Sequence, residues 1–357
     1  MKICYVLAYR APNYIRTRSL LAALNSMPGV ECHTAINTRT DLGRYRDTLA
    51  QVARIERQYR PDIYILGFRG HELYWPLRRL IGKRPLILDA MMSPSLALAE
   101  EDQYGLPGRL ASRLIGPIER HILRDADLVL TDTDAHIEAF QHHYQLSATK
   151  LNALPVGAVE TAPTAPHPGR SHRLRVLFYG SFLPLHGFDI IIQACRALND
   201  LPLDLDFIGA NAKYEARINE AFNGSGGALR FRTRRWVPFE QLVEQELPTA
   251  DLCLGGPFGN TPQARRVITG KTSQSLAQAV PTVIGDTDAG SGFVHQKNCL
   301  LVPQGNPEML AAALLWAHEN RPQLSALGQQ GRQFYREHLS LDVVRRRLSE
   351  ILQEFQT

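Results

Sequence analysis

The chain reads as an α/β protein built from two doubly wound, Rossmann-like domains, and three observations carry that reading. Short apolar runs alternate with amphipathic helical patterns, the rhythm of parallel strands joined by helical crossovers. The alternation occurs twice, on either side of residues 158–172 (AVETAPTAPHPGRSH), where Pro, Ala and Gly carry no apolar period and mark a linker. At 357 residues the chain is long for one core and comfortable for two. The expected domains are therefore residues 1–157 and 173–337, with 338–357 as a C-terminal helix.

In the first half, residues 1–9 (MKICYVLAY) form a buried strand, then a basic loop leads to an amphipathic helix from about Ser19. Residues 42–59 are helical and charged. Residues 63–66 are a strand that runs straight into Gly67 and Gly70-His71, which sets an imidazole at the sheet's carboxyl edge. Residues 85–92 are a strand with Asp89 near its end, followed by the acidic stretch Glu100, Glu101, Asp102. A helix through residues 114–124 contains Glu119, and residues 128–130 are the next strand. The Asp132-Thr133-Asp134 that follows resembles the D-x-D with which metal-dependent, GT-A-type transferases hold manganese and a sugar diphosphate. The same spacing recurs at Asp125/Asp127, Asp204/Asp206 and Asp286/Asp288, and an amphipathic run follows, so the aspartates read as helix caps and no metal is expected. Residues 151–156 are the last strand of this half.

The second half restarts at residues 174–179 (LRVLFY), and Gly180, Ser181, His186 and Gly187 lie in the turn before a helix. Residues 205–208 are a strand ending at Gly209. Residues 231–238 (FRTRRWVP) contain Trp236 and Val237, and residues 240–246 are a short helix. Residues 250–290 hold the strongest signal. An apolar run stops at Gly255, Gly256, Pro257, Phe258 and Gly259, and glycines let backbone N–H groups approach a ligand. A helical octet starts near Lys271, and Thr282-Val283-Ile284 is the next strand. Helix N-termini at the carboxyl end of parallel strands attract phosphate, and Arg265, Arg266 and Lys271 add positive charge. The stretch calls for an anion. Two helices follow residue 303, and apolar residues at 341, 344, 348, 351, 352 and 355 give the last helix a narrow stripe.

The run VITGKTSQSLAQAVPTVIGDT resembles the donor-binding segment of retaining, family 4-type glycosyltransferases of the GT-B fold, through Lys271, Gln274, Leu276-Ala277 and Pro281. The resemblance covers most of residues 173–345 and the first half loosely. Two glutamates separated by seven residues in the better-known form are replaced here by Arg266 and Gln274. A basic residue and a lysine of the first glycine turn are replaced by Ser181 and His186. The resemblance implies two domains facing a cleft, with the C-terminal helix crossing back onto the first. It implies donor contacts from Gly180, Ser181, His186, Gly187, Gly209, Trp236, Val237, Gly259, Arg266, Lys271, Thr272 and Gln274. Acceptor contacts are expected from Tyr14, Arg16, Arg18 and Glu101, and catalytic roles from His71 and Lys271.

The function so implied is transfer of a hexose from a nucleotide diphosphate sugar, UDP-sugar favoured, with retention and without metal or cofactor. The acceptor is a saccharide or a lipid-linked saccharide, in cell-envelope or secondary polysaccharide synthesis. Two rivals stay open: a non-catalytic nucleotide-sugar-binding subunit, and a GT-B-fold nucleotide-sugar epimerase. The net charge of +5 is too weak to argue for nucleic acid, and no nucleic-acid motif accompanies it. The excess is concentrated in residues 39–84, which suits contact with a membrane surface. Five scattered cysteines without paired spacing fit a reducing cytoplasm. The apolar N-terminus is too short for a signal peptide, so the expected location is cytoplasmic, with peripheral seating on the inner face of the membrane.

Overall fold

A computed structural model describes residues 1–101, 104–160, 172–223, 228–288 and 292–355. The chain divides into two compact units, Met1–Gly157 together with Leu341–Thr357, and Ala158–Ser340. The N-terminal unit holds strands β1 (Lys2–Leu7), β2 (Glu31–Ile36), β3 (Ile63–Leu66), β4 (Leu86–Met91), β5 (Leu128–Thr131) and β6 (Leu151–Ala153). They form one sheet in the order β2-β1-β3-β4-β5-β6, and each neighbouring pair is parallel. The second unit holds β7 (Leu174–Tyr179), β8 (Leu203–Ile208), β9 (Arg230–Arg234), β10 (Leu252–Leu254), β11 (Thr282–Gly285) and β12 (Leu300–Val302). Their order is β12-β11-β10-β7-β8-β9, again parallel throughout. Both sheets are doubly wound, as expected.

Each sheet reverses its winding once, between β1 and β3 in the first and between β7 and β10 in the second. Ligands of open α/β sheets bind beyond the strand carboxyl ends at such reversals, because the flanking crossovers leave in opposite directions. The central strands β3, β4, β5, β10 and β11 are buried from end to end because helices cover both faces, whereas the edge strands β2 and β9 carry polar and charged residues. Ile3, Tyr5 and Leu7 of β1 pack to one side with Leu20 and Leu24 of the helix Ile15–Asn25 and with Val344, Leu348 and Leu352 of the helix Leu341–Gln353. Cys4 and Val6 pack to the other. In β7, Val176 and Phe178 face one core and Leu177 the other.

Three local expectations are corrected. The first helix starts at Ile15, ahead of Ser19, because its first turns bury polar side chains (Arg16, Thr17 and Ser19) that hide the apolar period. The cap of the helix Asp134–Tyr144 is Thr133, whose hydroxyl accepts the His136 N–H at 3.2 Å. Asp134 is instead the first helical residue, and Asp132 pairs with the His136 ring. The start of the supposed linker belongs to the second unit. Tyr335 Oη donates to the Ala158 carbonyl at 2.8 Å, and Glu160 pairs with Arg332 and Arg336. Residues 161–171 lie outside those described, as does Asp102.

Candidate functional site

The reversal of the second sheet gathers part of the sequence-predicted donor set, Gly180, His186, Gly187, Gly209, Gly259, Lys271 and Thr272. β7 ends into Gly180 and β10 into Gly255-Gly256. The helix Gly270–Ala277 is pinned over this edge by its own cap. Thr269 Oγ1 accepts the Thr272 N–H at 3.2 Å and donates to the Gly255 carbonyl at 2.7 Å. The Thr272 hydroxyl donates to the Gly256 carbonyl at 3.3 Å. Thr272 is fully buried, so its side chain positions the loop. Such a cap is worth roughly 1 kcal/mol, and Thr269→Val is expected to cost about 1–2 kcal/mol in a denaturant titration, since two buried backbone groups lose their partner.

Lys271 is the second residue of this helix, 6% exposed, with Nζ 5.3 Å from the centre of the Phe178 ring. Among the described residues no carboxylate pairs with it. Burial therefore pulls its pKa from 10.5 down to about 7. His186 lies beside it across Gly180, and a Cβ on that glycine would stand 3.4 Å from Lys271 Nζ and 3.6 Å from the imidazole Cε1. Burial first, and the Lys271 charge second, push His186 well below its usual range. His186 Nδ1 is buried and has no hydrogen-bond partner among the described residues. A desolvated ammonium, a neutral imidazole and a helix N-terminus thus share one edge, an arrangement that a buried anion would complete.

Two glycines explain how the loops come so close. Gly209 has φ 102°, and a Cβ there would sit 2.0 Å from the Gly180 carbonyl oxygen. Gly187 has φ 67° and would place its Cβ 2.6 Å from the Gly259 nitrogen. The Gly259 N–H in turn donates to the Leu185 carbonyl at 3.0 Å. Glycine here serves loop-on-loop packing as much as ligand approach.

The remaining donor candidates are placed differently. Gln274 is 1% exposed, and its amide bonds both backbone groups of Val159 at 2.7 and 3.3 Å. Arg266 is half-buried just past the helix Pro262–Arg265. Ser181 is exposed. Trp236 is 74% exposed in the turn after β9, whereas Val237 packs beside Leu177, Ile208 and Tyr179.

In the N-terminal unit the structure overturns the placement of Arg16. Its side chain is fully buried at the end of β4, where it holds Asp89 through Nε and Nη2 at 2.7–3.1 Å. The Leu154, Pro155 and Thr131 carbonyls take its other donors. All five guanidinium N–H groups are thereby used, and none is left for an acceptor. Tyr14 stacks on Phe68 at 5.2 Å and 21°, with Tyr9 edge-on to both, beyond the β1–β3 reversal. Arg18 Nε donates to the Asn13 carbonyl at 3.1 Å.

His71 lies in a short turn beyond β3, with both ring nitrogens buried and without hydrogen bonds among the described residues, and its Nε2 is 3.7 Å from Glu119 Oε1. Burial lowers its pKa against the pull of Glu119. Glu119 also accepts the Ser95 N–H at 3.0 Å, and Ser93 and Ser95 meet Tyr144 Oη at 2.5 and 2.8 Å. Glu101 is 9% exposed, and burial raises its pKa from 4.5 to about 7, with Arg69 opposing. The His71 and Glu119 pairing and the Asp132–His136 pair are absent from the sequence reading. A signal existed for the first, since Glu119 falls on the buried helix face three and four residues before Ile122 and Leu123.

No protein-family model matches the chain, and no curated protein does. Solved structures do. HepE from Anabaena, in complex with UDP, is 15% identical with a TM-score of 0.70, over 99% of this chain and 100% of that one. Sucrose-phosphate synthase from Thermosynechococcus elongatus is 15% identical with a TM-score of 0.75, over 99% and 98%. A glycosyltransferase from Rickettsia africae is 10% identical with a TM-score of 0.68, over 100% and 98%. The likeness runs the full length of each, and the chain has their fold, the two Rossmann-like domains of the GT-B plan.

Proposed function

We propose that the protein transfers a hexose from a nucleotide diphosphate sugar, UDP-sugar favoured, to a saccharide or lipid-linked acceptor. The observation that carries this reading is Lys271, a buried amine with no carboxylate partner among the described residues, at a helix N-terminus and a sheet reversal. HepE, which shares the fold, is solved with UDP and with UDP-glucose. In the proposed step the bond from the sugar's anomeric carbon to the β-phosphate oxygen breaks and the electron pair stays on the diphosphate. Lys271 and the N–H groups around Gly180 and Gly187 stabilise that charge. The acceptor oxygen bonds to the anomeric carbon and gives its proton to the departing phosphate, whose basicity rises as the bond breaks. Retention of configuration, independence of metal, and a place in cell-envelope or secondary polysaccharide synthesis complete the reading. On the N-terminal unit, His71, Tyr14, Arg18 and Glu101 are proposed to serve the acceptor side. We also propose a cytoplasmic location with peripheral seating at a membrane through the basic N-terminal unit.

Thermal melting against a panel of nucleotide diphosphates tests the donor assignment, because a ligand at a hundred times its Kd adds about 2.7 kcal/mol. Release of UDP with formation of a glycoside from labelled donor separates a transferase from a binding subunit and from an epimerase. His71→Ala is expected to leave the UDP Kd unchanged while lowering kcat about ten- to a thousand-fold. Equal loss in both would move His71 out of the acceptor role. Chelator is expected to leave turnover intact; activity restored only by added manganese would overturn the metal-independent mechanism.

A further inference from the structure

We infer that the helix Gly105–Asp125 seats the N-terminal unit on an anionic lipid surface by inserting an exposed leucine–isoleucine stripe. The inference deepens the membrane contact proposed above, and it does not depend on which reaction the enzyme catalyses. The helix buries a narrow face made by Gly108, Glu119, Ile122 and Leu123. Its opposite face carries Leu106, Leu110, Leu114 and Ile118 at intervals of four, exposed by 73, 59, 75 and 57%. Side chains four apart form one continuous row. A water-facing helix would hold charged groups there, and an apolar row of this length marks a surface that meets something apolar.

Charge selects the occupant. Arg113 and Arg124 are exposed on the same helix, as is His121, and Trp75 stacks obliquely on His121 at 5.1 Å. Both acids of the helix are otherwise engaged. Glu119 is buried against Ser95 and His71, and Asp125 accepts Tyr74 Oη and pairs with Arg78. The outward face is therefore apolar and cationic with a half-exposed tryptophan, the composition of helices that lie in the headgroup region of acidic bilayers. No helix among the described residues is long and apolar enough to cross a membrane. The contact is a surface one.

Sedimentation of the full-length protein with vesicles tests this. Vesicles of phosphatidylcholine with about one-third phosphatidylglycerol should carry the protein down, phosphatidylcholine alone should carry much less, and added salt should release it. Leu110→Ser/Leu114→Ser/Ile118→Ser should abolish sedimentation, with UDP binding and melting temperature unchanged because the three side chains are exposed. Arg113→Gln/Arg124→Gln should weaken it about 25-fold, from about five-fold per cation. Undiminished vesicle binding by the triple serine variant would overturn the inference. So would wild-type protein that ignores both vesicles yet elutes as a dimer that the serine variant dissolves, which would make the stripe a self-association face.

Discussion

Replacing Asp89 by asparagine is expected to destabilise the N-terminal unit by about 3–5 kcal/mol, the cost of removing one partner from a buried ion pair. Arg16 and Asp89 are both fully buried, and the guanidinium cannot reach water once its carboxylate is gone. Neutralising the guanidinium itself is prohibited by its intrinsic basicity, so the unit must bury an uncompensated cation or open. Urea unfolding of the full-length protein, with far-UV dichroism and tryptophan fluorescence as separate probes, measures the loss. Arg16→Met combined with Asp89→Leu should recover much of it, since apolar replacement of a whole buried pair is close to neutral. A loss below about 1 kcal/mol for Asp89→Asn would mean that water reaches the pair.

Lys271→Met should weaken UDP binding by about 1.5–3 kcal/mol and should also make the unliganded protein more stable at pH 7. The two signs distinguish a binding residue from a structural one. An unfolded lysine keeps its proton to a pKa of 10.5, whereas Lys271 in the fold gives it up at about 7. Between those values the unfolded chain binds more protons, so stability of the free protein rises with pH across this window and is lowest below pH 7. A bound diphosphate favours the protonated amine and raises its pKa. UDP binding should therefore take up protons at pH 8, and its affinity should fall as pH rises above 7. Calorimetry in buffers of different ionisation enthalpy counts those protons. A methionine variant that melts lower than wild type, or wild-type binding without proton uptake, would remove Lys271 from the phosphate site.

The strands were legible because parallel strands covered on both faces are largely apolar, and LRVLFY and LILDAM, with one charged residue each, can hardly be read otherwise. The edge bearing Lys271 was legible for a related reason, since glycines, a cap and a cation cluster within one short segment. Polar side chains that face inward were not. Arg16 has the look of loop charge, although its complement was visible as Asp89 inside an otherwise apolar strand. Gln274 carries a resemblance to a ligand contact, yet its amide is committed to the backbone of Val159. Amide and carboxylate groups serve substrates and carbonyls equally well, and only coordinates tell which. The row Leu106, Leu110, Leu114, Ile118 was in plain view as a pattern, but periodicity alone reports an apolar face without saying whether the fold covers it.

That the N-terminal unit is closed by Leu341–Gln353 has a consequence for synthesis. The first six strands leave the ribosome early, but the helix that covers Leu20, Leu24 and the inner face of β1 arrives only after the whole contiguous unit Ala158–Ser340 has been made. At 5–20 residues per second that interval is on the order of ten seconds or more. Throughout it the nascent chain carries all six strands of the first sheet with part of one apolar flank bare. Chaperones that shield such flanks would be engaged by the strands of the N-terminal unit and released when Leu341–Gln353 packs against them.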